Sequence, residues 1–378
     1  MKPTIVASAV GVALLLAGCS TGATPGDRPS PDAQAGGAPG SSVIDLDITG
    51  TTGPNGEQPT PVDQLMLTDD EVATLRAGGF TAAQIWHTSG PFVAAVQAGA
   101  QAEFDRLGVE VVASTNANMN AGTQSNQVQT AMATRPSVMI GLPVDPTSAA
   151  AAFQPAVDAG TKLVFLSNVP TGYTYGKEYS SIVTDDLFAM GQQAARALGI
   201  ALGGQGTVAI VYYDAKYYVT NQRDAAFKAT LEQEFPGIRI VAEQGFSDPN
   251  NATGIANALL TQNPDLDGIY ASWAQPAAGV ISALRTVGNT HTRVVTLDVE
   301  DPVMVDMAKG GATVAVVADE AYNLGKGMAA SAAYALLGKQ APPFAVANAL
   351  TIAKDTIPAG YRQSLNIDVP ASVQQALR

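Results

Sequence analysis

The feature that most restricts this chain is an alternation, run through twice, of short β-rich stretches with helical patterns. Strand patterns fall at 81–87, 109–115, 137–142 and 162–166, with helical patterns between them at 91–107, 124–133 and 147–159. A short extended piece at 181–183 and a helix at 187–202 follow, and Gly203-Gly204-Gln205-Gly206 then opens a second round. That round has strands at 207–212, 238–243, 268–271 and 293–297 and helices at 221–235, 251–262, 277–287 and 302–309. Strands alternating with helices of this length build βαβ units, whose parallel sheets are covered on both faces. The expected fold is α/β: two similar doubly wound parallel-sheet lobes with a cleft between them. Final strand patterns at 313–317 and 344–351 would return the chain to each lobe in turn. The expected first lobe is then 79–184 with 320–348, the second is 185–319 with 349–366, and 367–378 forms a C-terminal extension. Thr184-Asp185 and Asp319-Glu320 are the expected hinge.

The first residues carry an export signal. Lys2 precedes an apolar run over 5–16, and small residues lead to Leu16-Ala17-Gly18-Cys19. That order marks a secretory signal, and the run is short for a membrane span of about 20 apolar residues. Cys19 is the only cysteine, so internal disulfides are impossible. The stretch 20–78 is read as a tether, most clearly over 20–42, where Gly, Pro, Ser and Thr dominate. Such a segment buries too little apolar surface to offset its ordering entropy. The formal net charge of −13 removes long-range attraction for nucleic acid or anionic lipid.

In open α/β sheets, ligands sit beyond the carboxyl ends of the strands, and a cleft between lobes is a usual small-molecule site. The residues following the strand patterns are Ser89 and Phe92, Ser167 and Asn168, Arg223, Phe246, Trp273, Asp298 and Asp319. Amides, hydroxyls and carboxylates with one guanidinium suit hydroxyl groups, which donate and accept together. The aromatic rings suit the C–H faces of a sugar or polyol. Two carboxylates against one arginine favour a neutral or cationic ligand over an anion. The two histidines, His87 and His291, are far apart, and no cluster has metal-ligand spacing. Gly325-Lys326-Gly327 lies inside a helical pattern, and Gly203–Gly206 precedes a strand, so neither is a dinucleotide or phosphate fingerprint. Neither a cofactor nor a metal is expected.

These residues resemble a known family. The Leu-Ala-Gly-Cys ending at Cys19 resembles the lipobox of bacterial lipoproteins, in which the cysteine is acylated. Residues 80–351 resemble the periplasmic sugar-binding proteins of the ribose-binding type, the receptors of ABC importers. Gly90-Pro91-Phe92 followed by Gly99-Ala100-Gln101 resembles that family's first strand-to-helix turn. The run from Asn221 to Phe227 resembles its Arg-x-x-x-Phe segment, and Val294 to Asp298 its strand ending in a ligand-binding aspartate. Ser167-Asn168, Gly90, Trp273 and Asp319 depart from the ribose binder's Asp-Arg, Asn, Asn and Gln. The resemblance implies a type I periplasmic binding fold, lobe closure on a monosaccharide or sugar alcohol, an ABC permease as partner, and a monomer held outside the cytoplasm by lipidated Cys19. It implies binding without catalysis.

Two alternatives stay open in the sequence. A sensory receptor would pass its closed form to a signalling partner, and a carbohydrate-active enzyme would use Asp298 and Asp319 as paired carboxylates. A repressor of the related fold is excluded, because a signal and a Gly/Pro-rich tether stand where its helix-turn-helix would be.

Overall fold

The computed structural model describes Ile44, Leu46 and residues 49–378. The expected signal at 1–19, the lipidation site Cys19 and the tether up to residue 43 lie outside the described residues. The first described elements are β1 (Thr60–Pro61) and α1 (Asp69–Ala77). The first lobe continues with β2 (Thr81–Trp86), α2 (Pro91–Leu107), β3 (Glu110–Asn116), α3 (Ala121–Met132), β4 (Val138–Gly141), α4 (Pro146–Asp158), β5 (Lys162–Leu166) and β6 (Ser181–Asp185). The second lobe takes α5 (Leu187–Ala201), β7 (Gly206–Tyr213), α6 (Tyr218–Glu234), β8 (Ile238–Phe246), α7 (Ala252–Gln262), β9 (Gly268–Ala271), α8 (Ala274–Thr286), β10 (Arg293–Leu297), α9 (Asp301–Ala308) and β11 (Thr313–Ala318). Then α10 (Ala321–Leu336) and β12 (Phe344–Ala347) return to the first lobe, and β13 (Leu350–Ile352) rejoins the second. Helices α11 (Ile357–Leu365) and α12 (Ala371–Ala376) follow.

One sheet has the order β1-β12-β6-β5-β4-β2-β3 and the other β13-β11-β10-β9-β7-β8. Every pairing is parallel except β13 with β11. The order reverses at β2 in one sheet and at β7 in the other, which are the topological switch points where ligands bind. The single strand expected at 344–351 is in fact two. Phe344–Ala347 pairs with β6 and Leu350–Ile352 with β11, so the chain changes lobe between them.

The helices start where side chains satisfy their free N–H groups. Asp145 accepts from the amides of Thr147 and Ser148 at the head of α4, with Pro146 at its first position. Helices α2 and α10 press together because each contributes a glycine at the contact. A Cβ at Gly99 would lie 1.9 Å from the Tyr322 carbonyl oxygen, and one at Gly325 would lie 1.9 Å from that of Val96. The sheets are sealed by wholly buried strands such as β4.

One expectation needs correction. Residues 60–77 are not tether: β1 adds to the edge of the first sheet, and α1 packs on α2. Thr68 and Glu71 form a reciprocal capping box at the head of α1, and burying Val72 and Leu75 stabilises by about 1.5–3 kcal/mol each. Residues 367–378, the expected C-terminal extension, pack onto the second lobe. Val373 is fully buried, α12 packs on α9, and the Ser372 hydroxyl donates to Asp301 Oδ2 at 2.8 Å. A polar surface hides both helices from hydrophobicity alone.

Candidate functional site

Arg223 is held in place by its backbone before its charge is considered. Gly191 of α5 leaves room for α6, since a Cβ there would lie 2.1 Å from the Arg223 carbonyl oxygen. The neighbouring Asp224 is completely buried and accepts from the Tyr270 hydroxyl at 2.6 Å and the Ser272 hydroxyl at 2.7 Å. These bonds pin α6 to the end of β9. Burial pushes the Asp224 carboxyl up to about 6, against the hydrogen bonds and the nearby guanidinium. Asp224 is thus scaffold, a role its position beside the candidate arginine did not reveal.

The Arg223 guanidinium then reaches three partners. Its Nη1 lies 3.0 Å from Asp298 Oδ1 and 3.9 Å from Asp319 Oδ1, and its Nη2 donates to the Ser272 carbonyl at 3.2 Å. Burial opposes its charge, but Asp298, Asp319, Tyr270 and Asp224 outweigh that and hold its pKa above the ordinary value. Asp298 does not cap the following helix: α9 starts after Glu300. Its backbone sits at φ 65°, and Ser167, in the same place after β5, sits at φ 56°. Left-handed backbone at non-glycine residues costs of order 1–3 kcal/mol and gathers at binding sites.

Asp185 ends β6 and Asp319 follows β11, so both lie where the chain passes between lobes. Both are 4% exposed. Burial raises the Asp185 carboxyl to about 7, although Asp319 and Arg223 pull it down. Asp319 is raised well above the usual carboxylate range, by burial first, then by Asp185 and Asp298. Burial thus favours the neutral form at both carboxyls. Burial, with Asp298 and Asp301, lifts Glu300 to about 7 as well. One arginine among these carboxyls leaves the site unsuited to an anion.

Across from Arg223, Asn168 is 1% exposed, and neither its Oδ1 nor its Nδ2 has a hydrogen-bond partner. Tyr217 of the second lobe is near enough for this amide to offset part of the burial that raises its phenol, yet short of bonding geometry. Buried and unpartnered as well are His87 Nδ1, Thr115 Oγ1, Asp185 Oδ1 and Arg223 Nε. Burial alone pushes His87 down to about 4, so its ring is neutral at physiological pH. Each of these groups except Arg223 lies in the last two residues of a strand of the first sheet or just beyond its end. Buried polar groups are rarely left without partners, and an orphaned one costs about 1–3 kcal/mol.

The second lobe contributes an aromatic wall. Phe246 and Trp273 stand edge-to-face at 5.0 Å, and Tyr213 meets them at 5.8 Å and 5.7 Å. Tyr217 packs edge-on to Tyr213 at 6.1 Å. Phe246 is buried and Trp273, which heads α8, is half-buried.

Of the expected site residues, the structure clusters Arg223, Asp298 and Asp319, and separately Phe246 and Trp273. Asn168 sits buried and unpartnered near Tyr217. Ser167 is adjacent, but its hydroxyl is engaged with Thr184 Oγ1 at 2.7 Å. Phe92 is half-buried on the first turn of α2 and packs against the core. Ser89 is exposed in the loop before α2. Sequence reasoning passed over Tyr217 and gave Asp185 only a hinge role. Tyr217 lies in the β7–α6 connection, four residues past the strand end, and Asp185 is the last residue of β6, where the chain leaves the first lobe. Among the described residues, no group of three His, Cys, Asp or Glu side chains is placed to hold a metal ion. No described helix is long and apolar enough to cross a membrane.

Residues 84–340 match the family described as periplasmic binding protein domain. A solute-binding protein of an ABC transporter from Agrobacterium vitis, solved with α-D-tagatopyranose, superposes with a TM-score of 0.69 at 24% identity, covering 77% of this chain and 100% of its own. An ABC sugar transporter subunit from Rhodobacter sphaeroides gives a TM-score of 0.62 at 26% identity, covering 73% of this chain and 98% of its own. A second Agrobacterium vitis solute-binding protein, solved with allitol, gives 0.63 at 22%, covering 75% and 98%.

Proposed function

From the premise that this chain belongs to the periplasmic binding protein family, whose members are extracytoplasmic binding proteins rather than enzymes, we propose that it captures a monosaccharide or sugar alcohol for an ABC importer. The observation that carries this reading is the set of buried, unpartnered donors and acceptors at the strand ends of the first lobe, Asn168, Asp185 and His87, together with Arg223 Nε on α6. A polyhydroxylated ligand supplies hydroxyls that both donate and accept, so one molecule satisfies amide, carboxyl and guanidinium together. The wall of Phe246, Trp273 and Tyr213 offers apolar faces for its C–H bonds. Related proteins solved with tagatose and allitol support a ligand of this size and polarity.

Binding proceeds by lobe closure. Asn168 and Asp185 belong to the first lobe and Arg223, Trp273 and Asp298 to the second, so only approach of the lobes completes the set. Arg223, Asp298, Asp319 and Asn168 bind hydroxyls in this proposal, and Phe246 and Trp273 stack on the ligand. Phe92 lines the first-lobe edge and Ser89 its rim, while Ser167 shapes the turn that presents Asn168. The closed form, a monomer, is recognised by a membrane permease, and lipidated Cys19 holds the protein at the outer face of the bacterial cell membrane. Cys19→Ala is expected to leave it unlabelled by a radioactive fatty acid.

The test is a thermal-shift panel of pentoses, ketohexoses and hexitols on the protein, with product analysis alongside. A ligand that binds only the folded state raises the melting temperature. Stabilisation by one or a few members without turnover is the expected result. Conversion of a glycoside at catalytic rates would instead favour the paired-carboxylate enzyme.

A further inference from the structure

The chain passes between the lobes three times, from β6 to α5, from β11 to α10 and from β12 to β13. Residues 51–61 make a further link, which runs through side chains. At its start, the Thr51 hydroxyl donates to Asp186 Oδ1 and accepts from the Phe188 amide at 3.0 Å, both at the head of α5. The Tyr218 hydroxyl, on the first turn of α6, donates to the Thr52 carbonyl. These contacts belong to the second lobe, because α5 packs on β10 and β11 and α6 on β7 and β8.

Five residues later the same segment is fastened to the first lobe. The Tyr179 hydroxyl donates to Glu57 Oε1 at 3.0 Å and accepts from Asn55 Nδ2 at 3.3 Å. Tyr179 is 2% exposed and its ring sits in the first-lobe core. Beyond it, Thr60–Pro61 pairs with Ala345–Val346 of β12. Between the two fastenings there is no slack. The Gly53 amide donates to the Glu57 carbonyl at 2.8 Å and the Gly56 amide to the Gly53 carbonyl at 2.9 Å, closing a compact turn with Gly56 at φ 87°. The Glu57 carboxylate accepts from the Asn55 amide at 2.9 Å as well. An extended chain reaches about 3.3–3.6 Å per residue, but this one is folded back on itself and lengthens only by breaking those bonds.

We propose that residues 51–61 are an interlobe strap that restrains the lobes from opening, and so sets how far apart they stand before ligand arrives. The inference rests on lobe closure as described above. Rotation about the three covalent crossings moves α5 and α6 relative to Tyr179 and β12. The strap must then release Thr51 and Thr52 at one end or Glu57 at the other. Its bonds therefore favour the arrangement of the lobes in which they form over a wider opening, and a free-energy difference between two arrangements shifts their populations.

The test uses the full-length protein without ligand, so its outcome does not depend on which sugar binds. Tyr218→Phe and Tyr179→Phe each remove one hydroxyl at opposite ends of the strap while keeping the ring. Small-angle X-ray scattering is expected to show a larger radius of gyration for the double variant than for wild type. The Phe188 amide, which donates to Thr51, is expected to exchange about tenfold faster, the ratio for loss of one hydrogen bond of ordinary strength. Thr51→Val provides an independent variant should the double one melt below the measurement temperature, and the same expansion is expected of it. An unchanged radius of gyration in both variants overturns the strap, whatever happens to local exchange. If ligand fails to compact the expanded double variant, lobe closure fails instead, and the two failures are read from different samples.

Discussion

Replacing Asp319 by Asn is expected to reduce the loss of stability that the wild-type protein suffers as pH rises. The Asp319 carboxyl is raised well above the usual range by burial and by Asp185 and Asp298, whereas in the unfolded chain it ionises near pH ~3.9. Between those values the folded protein holds a proton that the unfolded chain has released. Its contribution is fully present below the unfolded pKa and is lost as pH climbs towards the folded one. Each retained proton costs about 1.4 kcal/mol per pH unit in this interval. Asn carries no such proton, and its amide N–H still offers Asp185 a donor. As pH rises above the unfolded value the variant should therefore gain on wild type, by about 1.4 kcal/mol per pH unit for as long as the folded protein holds the proton. With an unfolding entropy near 2.1 cal/mol/K per residue, that is about 2 °C of melting temperature per pH unit. Asp224, Glu300 and the neutral His87 titrate in both proteins, so the difference between the two curves reports the coupled Asp185–Asp319 pair. Melts in matched buffers across the window decide it. Parallel curves would refute a retained proton at this position.

Arg223→Ala should abolish most ligand affinity, by at least roughly 1–3 kcal/mol in titration calorimetry, because the donor facing Asp298 and Ser272 is gone; unchanged affinity removes Arg223 from the site. Asn168→Leu should raise stability by about 1–3 kcal/mol in denaturant melts while binding disappears, since two unpartnered buried polar atoms are replaced by methyl groups; a destabilised variant would mean that the amide is bonded in solution. Gly325→Ala, far from any ligand contact, should destabilise by roughly 1–3 kcal/mol through overpacking against Val96; a neutral melt would mean that α2 and α10 separate freely.

The alternation of strand and helix made the two lobes legible, because parallel strands buried on both faces read as short apolar runs. Asp298 and Trp273 were legible for a related reason, as they stand just past strand ends where any such fold gathers its ligands, and Arg223 lies on the helix that follows one. What stayed hidden depends on distance through space. Asp224 looks like a surface partner for Arg223 until Tyr270 and Ser272 are seen to bind it. Ser167 reads as a contact, yet its hydroxyl turns to Thr184, a residue of the next strand. The strap was read as tether because Gly, Pro and Thr dominate it, and its order comes from single side chains such as Thr51 and Glu57. The capping box of Thr68 and Glu71 was the one local signal that structure begins before residue 79.

The central claim is that groups from both lobes close on one polyhydroxylated molecule, and a crystal structure with the sugar or polyol that most raises the melting temperature tests it most directly. Density between the sheets, with ligand hydroxyls within hydrogen-bond distance of Asn168, Arg223 and Asp298 and a carbon face against Trp273, is the predicted result. A ligand bound elsewhere, with those side chains still unpartnered, would contradict the account.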